Sequence, residues 1–381
     1  MISERPIRVL IVDDSAMIRK VLHLGLSSDD RFEVIGTAAR ASVAEEMIRE
    51  HNPDLITLDI EMPGMSGIEF LQSRRGQKNI PTVIISAHTP REAELSIKAL
   101  ELGALDVIEK PSGGLAQGLS GIMADIRQRL VNAASAKHGG QTFTARKPAI
   151  ADVDAIKLTA KPETQMRRAM AERDWLFAIG ASTGGGQALT AILPQFPFDA
   201  PGIVIVQHMP RGFTKSFANR LDEICQMSVK EAEHGDEVRA GQILLAPGGE
   251  HHMIVRKTPS TFRVHLIEGD PVCFSRPSVD VLFDSVAREV GNKVTAAILT
   301  GMGKDGASGM LNIRAAGGRT FAQNEESCVV FGMPHAAHER NASEKLVPLD
   351  DIPTTMMNSI GKLPKNQPQT RQAAPVARLN V

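Results

Sequence analysis

The sequence of 381 residues has no tyrosine and a single tryptophan, and aromatic residues make up only 4% of it. Single-stranded nucleic acid is held on exposed rings along a basic groove, and so few rings argue against that partner. Lysine and arginine number 43 against 44 acidic residues, a formal net charge of −1. Such a balance gives no global pull toward nucleic acid or an anionic membrane. No apolar run approaches the roughly 20 residues that cross a bilayer. The N-terminus enters a strand-like run, Ile7–Val12, without the basic start and cleavage site of a signal peptide. Neither membrane insertion nor export is expected, and the cytoplasm is the expected location. The three cysteines, Cys225, Cys273 and Cys328, lie far apart with no C-x-x-C pair, which fits free thiols in a reducing compartment better than disulfides or zinc.

What is present suits a globular protein. Hydrophobic residues account for 42% and charged residues for 23%, and this length favours two domains with a connector. From Arg8 to about Arg129, short apolar runs alternate with helical patterns. The runs are Val9–Val12, Phe32–Gly36, Leu55–Leu58, Thr82–Ser86 and Asp106–Ile108. Segments such as Met17–Leu26 and Ala41–Arg49 carry apolar residues at helical spacing. Five strand–helix repeats predict an α/β fold, a parallel sheet covered on both faces, over residues 1–128. Residues 129–172 turn to Ala, Lys, Thr, Pro and Gln and read as a flexible linker, with a short charged helix before Trp175. A second α/β domain is expected over 173–358, doubly wound and mostly parallel, with strands at Trp175–Ile179, Gly202–Val206 and Thr295–Thr300. Val229–His265 reads as a hairpin turning at Pro247-Gly248-Gly249, and Arg276–Glu289 as an amphipathic helix. Residues 359–381 form a polar tail without a structural pattern, expected to be disordered.

In an open parallel sheet, ligands sit at the carboxyl ends of the strands. In the first domain, strand one ends in Asp13-Asp14, strand three in Asp59, strand four in Ser86 and strand five in Lys110-Pro111. One acidic residue after a strand is usually a cap or a solvated turn. Several in register are a site. Crowded carboxylates stay ionised when they hold a hard dication such as Mg²⁺, and a facing lysine offers charge to a phosphoryl group. These residues, with Leu58-Asp59-Ile60-Glu61-Met62-Pro63, Gly67 and Ser86-Ala87, resemble the receiver domain of two-component response regulators. The resemblance implies that Asp59 accepts a phosphoryl group from a chemotaxis histidine kinase. It implies Mg²⁺ on Asp13, Asp14, Asp59 and the carbonyl of Glu61, and phosphoryl oxygens bonded by Ser86 and Lys110. Receivers often carry an aromatic switch residue three positions before that lysine; here the position is Val107.

The second domain opens with Phe177–Gly186, a strand and a glycine-rich turn in which Gly180-Ala181-Ser182-Thr183-Gly184 matches G-x-S-x-G. That pattern exposes a nucleophilic serine, but glycine-rich turns equally cradle phosphates at a helix N-terminus. Two further strand ends weigh toward the nucleophile. Val204-Ile205-Val206 leads to His208, and Ala297-Ile298-Leu299-Thr300 leads to Asp305. A serine needs a base to take its proton, and a histidine base needs a carboxylate to fix its tautomer. The order Ser182, His208, Asp305 differs from that of α/β-hydrolases. Adjacent His251-His252 in a strand point to opposite faces and lack further ligands, so no metal is expected there. His335 and His338 read as surface or interface residues.

Gly180–Gly185, Gln207-His208-Met209-Pro210, Arg276-Pro277-Ser278-Val279-Asp280, Leu299–Gly306 and Phe331-Gly332-Met333-Pro334 resemble the catalytic domain of chemotaxis protein-glutamate methylesterases. The resemblance implies a serine hydrolase that removes methyl groups from chemoreceptor glutamates and deamidates receptor glutamines. It implies Ser182 as nucleophile, His208 as base, Asp305 as its partner, the Met302 N–H as oxyanion donor and Thr183 as a polar neighbour, with no cofactor in the hydrolase. A competing reading is a catalytically weak module that docks on receptors and competes for the kinase. A DNA-binding regulator fits poorly, because a helix-turn-helix is far shorter than Trp175–Pro353.

Overall fold

The computed structural model describes residues 5–77, 80–87, 89–111, 119–136 and 175–362. The expected linker beyond residue 136, its charged helix and the tail from residue 363 lie outside the described residues.

The first domain is a five-stranded parallel sheet of order β2-β1-β3-β4-β5. Its strands are β1 (Ile7–Val12), β2 (Phe32–Ala38), β3 (Leu55–Leu58), β4 (Thr82–Ser86) and β5 (Asp106–Glu109). The connecting helices are α1 (Ala16–Ser27), α2 (Ala41–His51), α3 (Gly67–Ser73) and α4 (Pro90–Glu101), and α5 (Leu119–Ala134) follows β5. Each central strand is buried on both faces, which is why its sequence is a continuous apolar run rather than an alternation. Caps set the helix starts where side-chain acceptors occur. Ser15 accepts from Ile18 N, and Ser66 and Glu69 form a reciprocal capping box at α3.

The second domain is a seven-stranded sheet of order β15-β14-β13-β6-β7-β10-β8, parallel throughout. β6 (Leu176–Ala181), β7 (Gly202–Gln207) and β13 (Val294–Ile298) occupy its middle. The other strands are β8 (Ser228–Glu231), β10 (Gln242–Leu245), β14 (Arg319–Gln323) and β15 (Lys345–Val347). The helices are α6 (Gly185–Ile192), α7 (Phe213–Ile224), α8 (Val279–Glu289), α9 (Ala307–Ala315), α10 (Met333–Glu339) and α11 (Ile352–Ser359).

Val229–His265 is not one hairpin. β8 and β10 join the parallel sheet, and Pro247-Gly248-Gly249 carries the chain out of it. The hairpin is β11 (His252–Lys257) with β12 (Phe262–Ile267), turning where Thr258 N donates to Thr261 O at 2.8 Å. β9 (Glu237–Val238) pairs on its edge. The β-branched runs look alike in parallel and antiparallel strands, so the apolar pattern did not separate them. α8 starts at Val279 rather than Arg276, because Ser278 caps it after Pro277.

The two domains are packed together. One apolar cluster runs from Leu58, Ile84, Ile97 and Leu100 of the first to Ile179, Leu189, Met209 and Phe217 of the second. Leu100 Cδ1 lies so close to Gly186 that a Cβ there would sit 3.0 Å from it. Gln187 Nε2 donates to the carbonyls of Leu100 (3.3 Å) and Ala104 (2.9 Å), and Arg220 pairs with Glu101 at 2.5 Å.

Candidate active site

At the carboxyl edge of the first sheet, Asp13, Asp14 and Asp59 bring one oxygen each within 4.8 Å of one another. Asp13 and Asp59 are buried and Asp14 is exposed. Lys110 Nζ lies 2.8 Å from Asp59 Oδ2 and 3.2 Å from Asp13 Oδ2. Among the described residues it is the sole charge partner of Asp59, and Asp59 Oδ1 has no hydrogen-bond partner. Burial raises the Asp59 carboxyl to about 6, and the charges of Asp13 and Asp14 add to the Lys110-opposed shift. Asp13 is raised too, again chiefly by burial. Orphan oxygens and carboxylates held above their ordinary range are what a hard dication relieves, so the donor set fits Mg²⁺. The Glu61 side chain is exposed, 3.3 Å from Arg91, leaving its carbonyl as the expected contributor.

Ser86 is turned elsewhere. Fully buried, it donates from Oγ to Glu92 Oε2 at 2.9 Å, and the same oxygen accepts from Ala87 N at 2.5 Å. Glu92 stands in the first turn of α4, the helix whose other end packs on the second domain. Val107, at the usual aromatic position, is a buried core residue.

In the second domain the three candidate residues follow neighbouring strands, Ser182 after β6, His208 after β7 and Asp305 after β13. Backbone bonds lock the turns together: Ser182 N donates to Thr300 O and His208 N to Ala181 O, each at 3.1 Å. Gln207 Nε2 bridges the Ser182 (2.9 Å) and His208 (3.2 Å) carbonyls. Glycine is required in this turn. A Cβ on Gly185 would stand 2.1 Å from Gln207 Oε1, and Gly184 adopts φ +77° against Val329.

His208 Nε2 is 2.9 Å from Asp305 Oδ2, and His208 Nδ1 is 3.4 Å from Ser275 Oγ. A carboxylate only accepts, so Nε2 carries the hydrogen and Nδ1 keeps the lone pair. Ser182 Oγ makes no hydrogen bond among the described residues, and Ser275 is the present neighbour of that lone pair. Catalytic hydrogen bonds often tighten only when substrate binds. Asp305 is buried, which alone would raise its carboxyl. The hydrogen bond and charge of His208, with the N–H groups of Asp280 and Val279, bring it below the ordinary range. It is ionised and ready to hold an imidazolium. The Met302 N–H has no acceptor among the described residues, while Met302's half-buried side chain packs against an apolar cluster of the first domain.

The first domain covers this edge. Asp106 Oδ2 is 3.5 Å from Thr183 Oγ1, Gly184 N donates to Leu105 O at 3.0 Å, and Arg129 reaches the His208 carbonyl at 3.5 Å. Arg129 and Asp106 are themselves paired at 3.1 Å. Burial raises the Asp106 carboxyl against the pull of Arg129. None of Asp106, Arg129, Glu92 or Ser275 is reached by reading strand ends, and Gln207, which stands at one, is given no role by it. Asp106 does open the predicted strand Asp106–Ile108, but its partner Thr183 lies on the other domain.

The receiver-domain family of response regulators matches residues 9–116, and the CheB methylesterase family matches residues 177–356. A protein-glutamate methylesterase/protein-glutamine glutaminase of Cereibacter sphaeroides is 49% identical over 350 residues, covering 92% of this chain and 91% of that one. One from Bordetella bronchiseptica is 42% identical over 357 residues, covering 94% and 98%. The catalytic domain of the Thermotoga maritima CheB methylesterase, a solved structure, is 40% identical with a TM-score of 0.47, covering 48% of this chain and 97% of its own. A receiver sheet and a hydrolase sheet in one chain, with relatives alike over both, mean that the chain belongs to the family of receiver-containing protein-glutamate methylesterases/protein-glutamine glutaminases.

Proposed function

We propose that this protein is a response regulator that hydrolyses glutamate methyl esters on chemoreceptors, and deamidates glutamines there, under control of phosphorylation at Asp59. The observation that carries the reading is the His208–Asp305 pair at 2.9 Å beside the Ser182 turn, with Asp106 and Arg129 of the receiver laid across it.

Ser182 Oγ attacks the side-chain carbonyl carbon while His208 Nδ1 takes its proton. The Met302 N–H stabilises the oxyanion, and Thr183 lines the site. Collapse expels methanol, or ammonia from glutamine, with the proton returned by His208, and leaves a glutamyl ester on Ser182. Water repeats the sequence and releases glutamate. Proton transfer contributes on the order of 10²–10⁴-fold, and an oxyanion donor about 10²–10³-fold. Asp305 holds the imidazolium that forms.

In the receiver, a chemotaxis histidine kinase supplies the phosphoryl group to Asp59. Asp13, Asp14, Asp59 and the Glu61 carbonyl would hold Mg²⁺, which would supply positive charge against the phosphoryl group. Lys110 and Ser86 then bond the phosphoryl oxygens. Ser86 must first leave Glu92, which frees the start of α4, and the far end of α4 is docked on the hydrolase. This route needs no aromatic residue at Val107. The linker begins after α5, which carries the receiver to Ala134 rather than to the expected residue 128, and residues 173–358 act as the catalytic domain, in the cytoplasm; among the described residues no helix is long and apolar enough to cross a membrane.

The test is methanol release from methylated receptor membranes, with and without a small phosphodonor and Mg²⁺. Wild type is expected to be stimulated by the phosphodonor, and Ser182→Ala to be inactive in both states while still phosphorylated at Asp59. Near-wild-type release by Ser182→Ala sinks the triad.

A further inference from the structure

The Asp305 carboxylate is held from beneath. Besides His208, it accepts from Ser278 Oγ (2.8 Å) and Asp280 N (3.0 Å) at Oδ1 and from Val279 N (2.8 Å) at Oδ2. These donors belong to three consecutive residues at the start of α8, where the helix dipole also favours a negative charge. Ser278 has a double task. Its single proton goes to Asp305, and its oxygen accepts from Val281 N at 3.4 Å, which caps the helix.

The backbone of Ser278 is fixed in turn by a histidine. Ser278 N donates to His252 Nδ1 at 3.1 Å, and His252 Nε2 is 3.0 Å from the Asp270 carbonyl. A carbonyl accepts only, so Nε2 bears the hydrogen and Nδ1 is bare. His252 is buried at 2% exposure in β11. Its neutral tautomer is therefore fixed from both sides, since a proton on Nδ1 would oppose the Ser278 N–H. Among the described residues, Asp280, Asp284 and Cys273 also feel the charge of Asp305, and Lys304 adjoins it in the chain.

Resting on the triad reading above, we infer that Ser278 and His252 are positioning residues of the hydrolase: His252 sets Ser278, and Ser278 aims the Asp305 carboxylate at His208. The motif Arg276-Pro277-Ser278-Val279-Asp280 thereby gains a chemical reason, and so does the buried His252. Without the Ser278 hydroxyl, Asp305 Oδ1 loses a charge-assisted bond and the carboxylate can swing away from Nε2.

The experiment measures kcat, KM and the pH profile of methanol release for the phosphodonor-treated full chain with Mg²⁺. Ser278→Ala is expected to lower kcat roughly ten-fold or more at unchanged KM, the effect of losing a hydrogen bond to a charged group. The acid limb of kcat/KM should move to lower pH, because a carboxylate turned away from Nε2 no longer stabilises the imidazolium. Ser278→Thr keeps the hydroxyl and should restore most of the rate. His252→Asn, which keeps an acceptor near Nδ1, should exceed His252→Leu. In an Asp305→Ala background, adding Ser278→Ala should change the rate by less than about two-fold, since coupled residues are not additive. An unmoved acid limb, or an equal loss from Ser278→Ala with and without Asp305, overturns the inference. So does a fully active Ser278→Ala beside an inactive Ser182→Ala, which spares the triad. An active Ser182→Ala fails the triad reading itself.

Discussion

Asp106 of the receiver stands 3.5 Å from Thr183, the residue that follows the proposed nucleophile. If the unphosphorylated receiver inhibits the hydrolase, it does so by contact with this edge as well as by crowding around it. Asp106 follows the turn that leaves α4, and α4 begins with the Glu92 that holds Ser86. The same short stretch of chain thus touches both sites.

If these contacts hold the closed state, loosening them away from both sites should release activity without phosphate. Gln187→Ala removes two bonds to the receiver, and Leu100→Ala removes apolar contact with α6. Each should raise unphosphorylated methanol release roughly five-fold or more, the low end of ordinary coupling energies. Glu101→Ala breaks only a surface pair with Arg220 and should change it less than about two-fold. Equal effects from all three would contradict a closed state held by these particular contacts.

The Ser86–Glu92 bond gives a second handle. Glu92→Gln weakens the acceptor that keeps Ser86 from Asp59, so less phosphodonor should be needed for half-maximal activation, by about three-fold or more. Ser86→Ala should be phosphorylated yet poorly activated. Phosphate incorporation and methanol release, followed together, separate the two steps.

Asp59 carries a pH signature. Its folded value is about 6 against an ordinary 3.8. A carboxyl raised in the folded state gives stability that is fully present below the unfolded value and is lost as pH rises through the folded one. Without Mg²⁺, the receiver should lose stability from this group between about pH 4 and pH 6, on the order of 3 kcal/mol. Asp59→Asn should remove that slope and raise the melting temperature at pH 7. Thermal melts followed by circular dichroism, with and without Mg²⁺, give the comparison; Mg²⁺ should stabilise wild type more than Asp59→Asn.

Gly301 tests the rigidity of the nucleophile turn. A Cβ there would lie 2.7 Å from Ser182 Cβ and 2.5 Å from Met333 Sδ. The thioether can move, whereas Ser182 is bonded at its N–H to Thr300 O. Gly301→Ala should fall by about 10²-fold in kcat, as a displacement near 1 Å can cause, in a protein that still binds receptor membranes.

Much of this was legible because buried parallel strands are written as continuous apolar runs, and the residue after each run stands at one edge of the sheet. Asp13, Asp59, Lys110, Ser182, His208 and Asp305 were found in that way. The orientation of side chains was not. Ser86 follows the right strand but bonds Glu92, and the ring nitrogen of His208 that meets Asp305 depends on backbone geometry. Contacts between distant segments were also beyond reach, among them Ser278 with Asp305 and Asp106 with Thr183. Where only hydrophobic spacing was available, as over Val229–His265, parallel and antiparallel strands were confused.

The apolar cluster shared by the two domains has a calorimetric consequence. A core continuous from Ile84 to Phe217 ties the melting of one sheet to that of the other, so the unphosphorylated chain should unfold in one heat-absorption peak. Phosphorylation that parts the domains should split it into two. The heat capacity of the folded baseline should also rise, because water then reaches faces that were dry. The resting chain would in that sense be one folding unit, and activation by parting the domains would make it two.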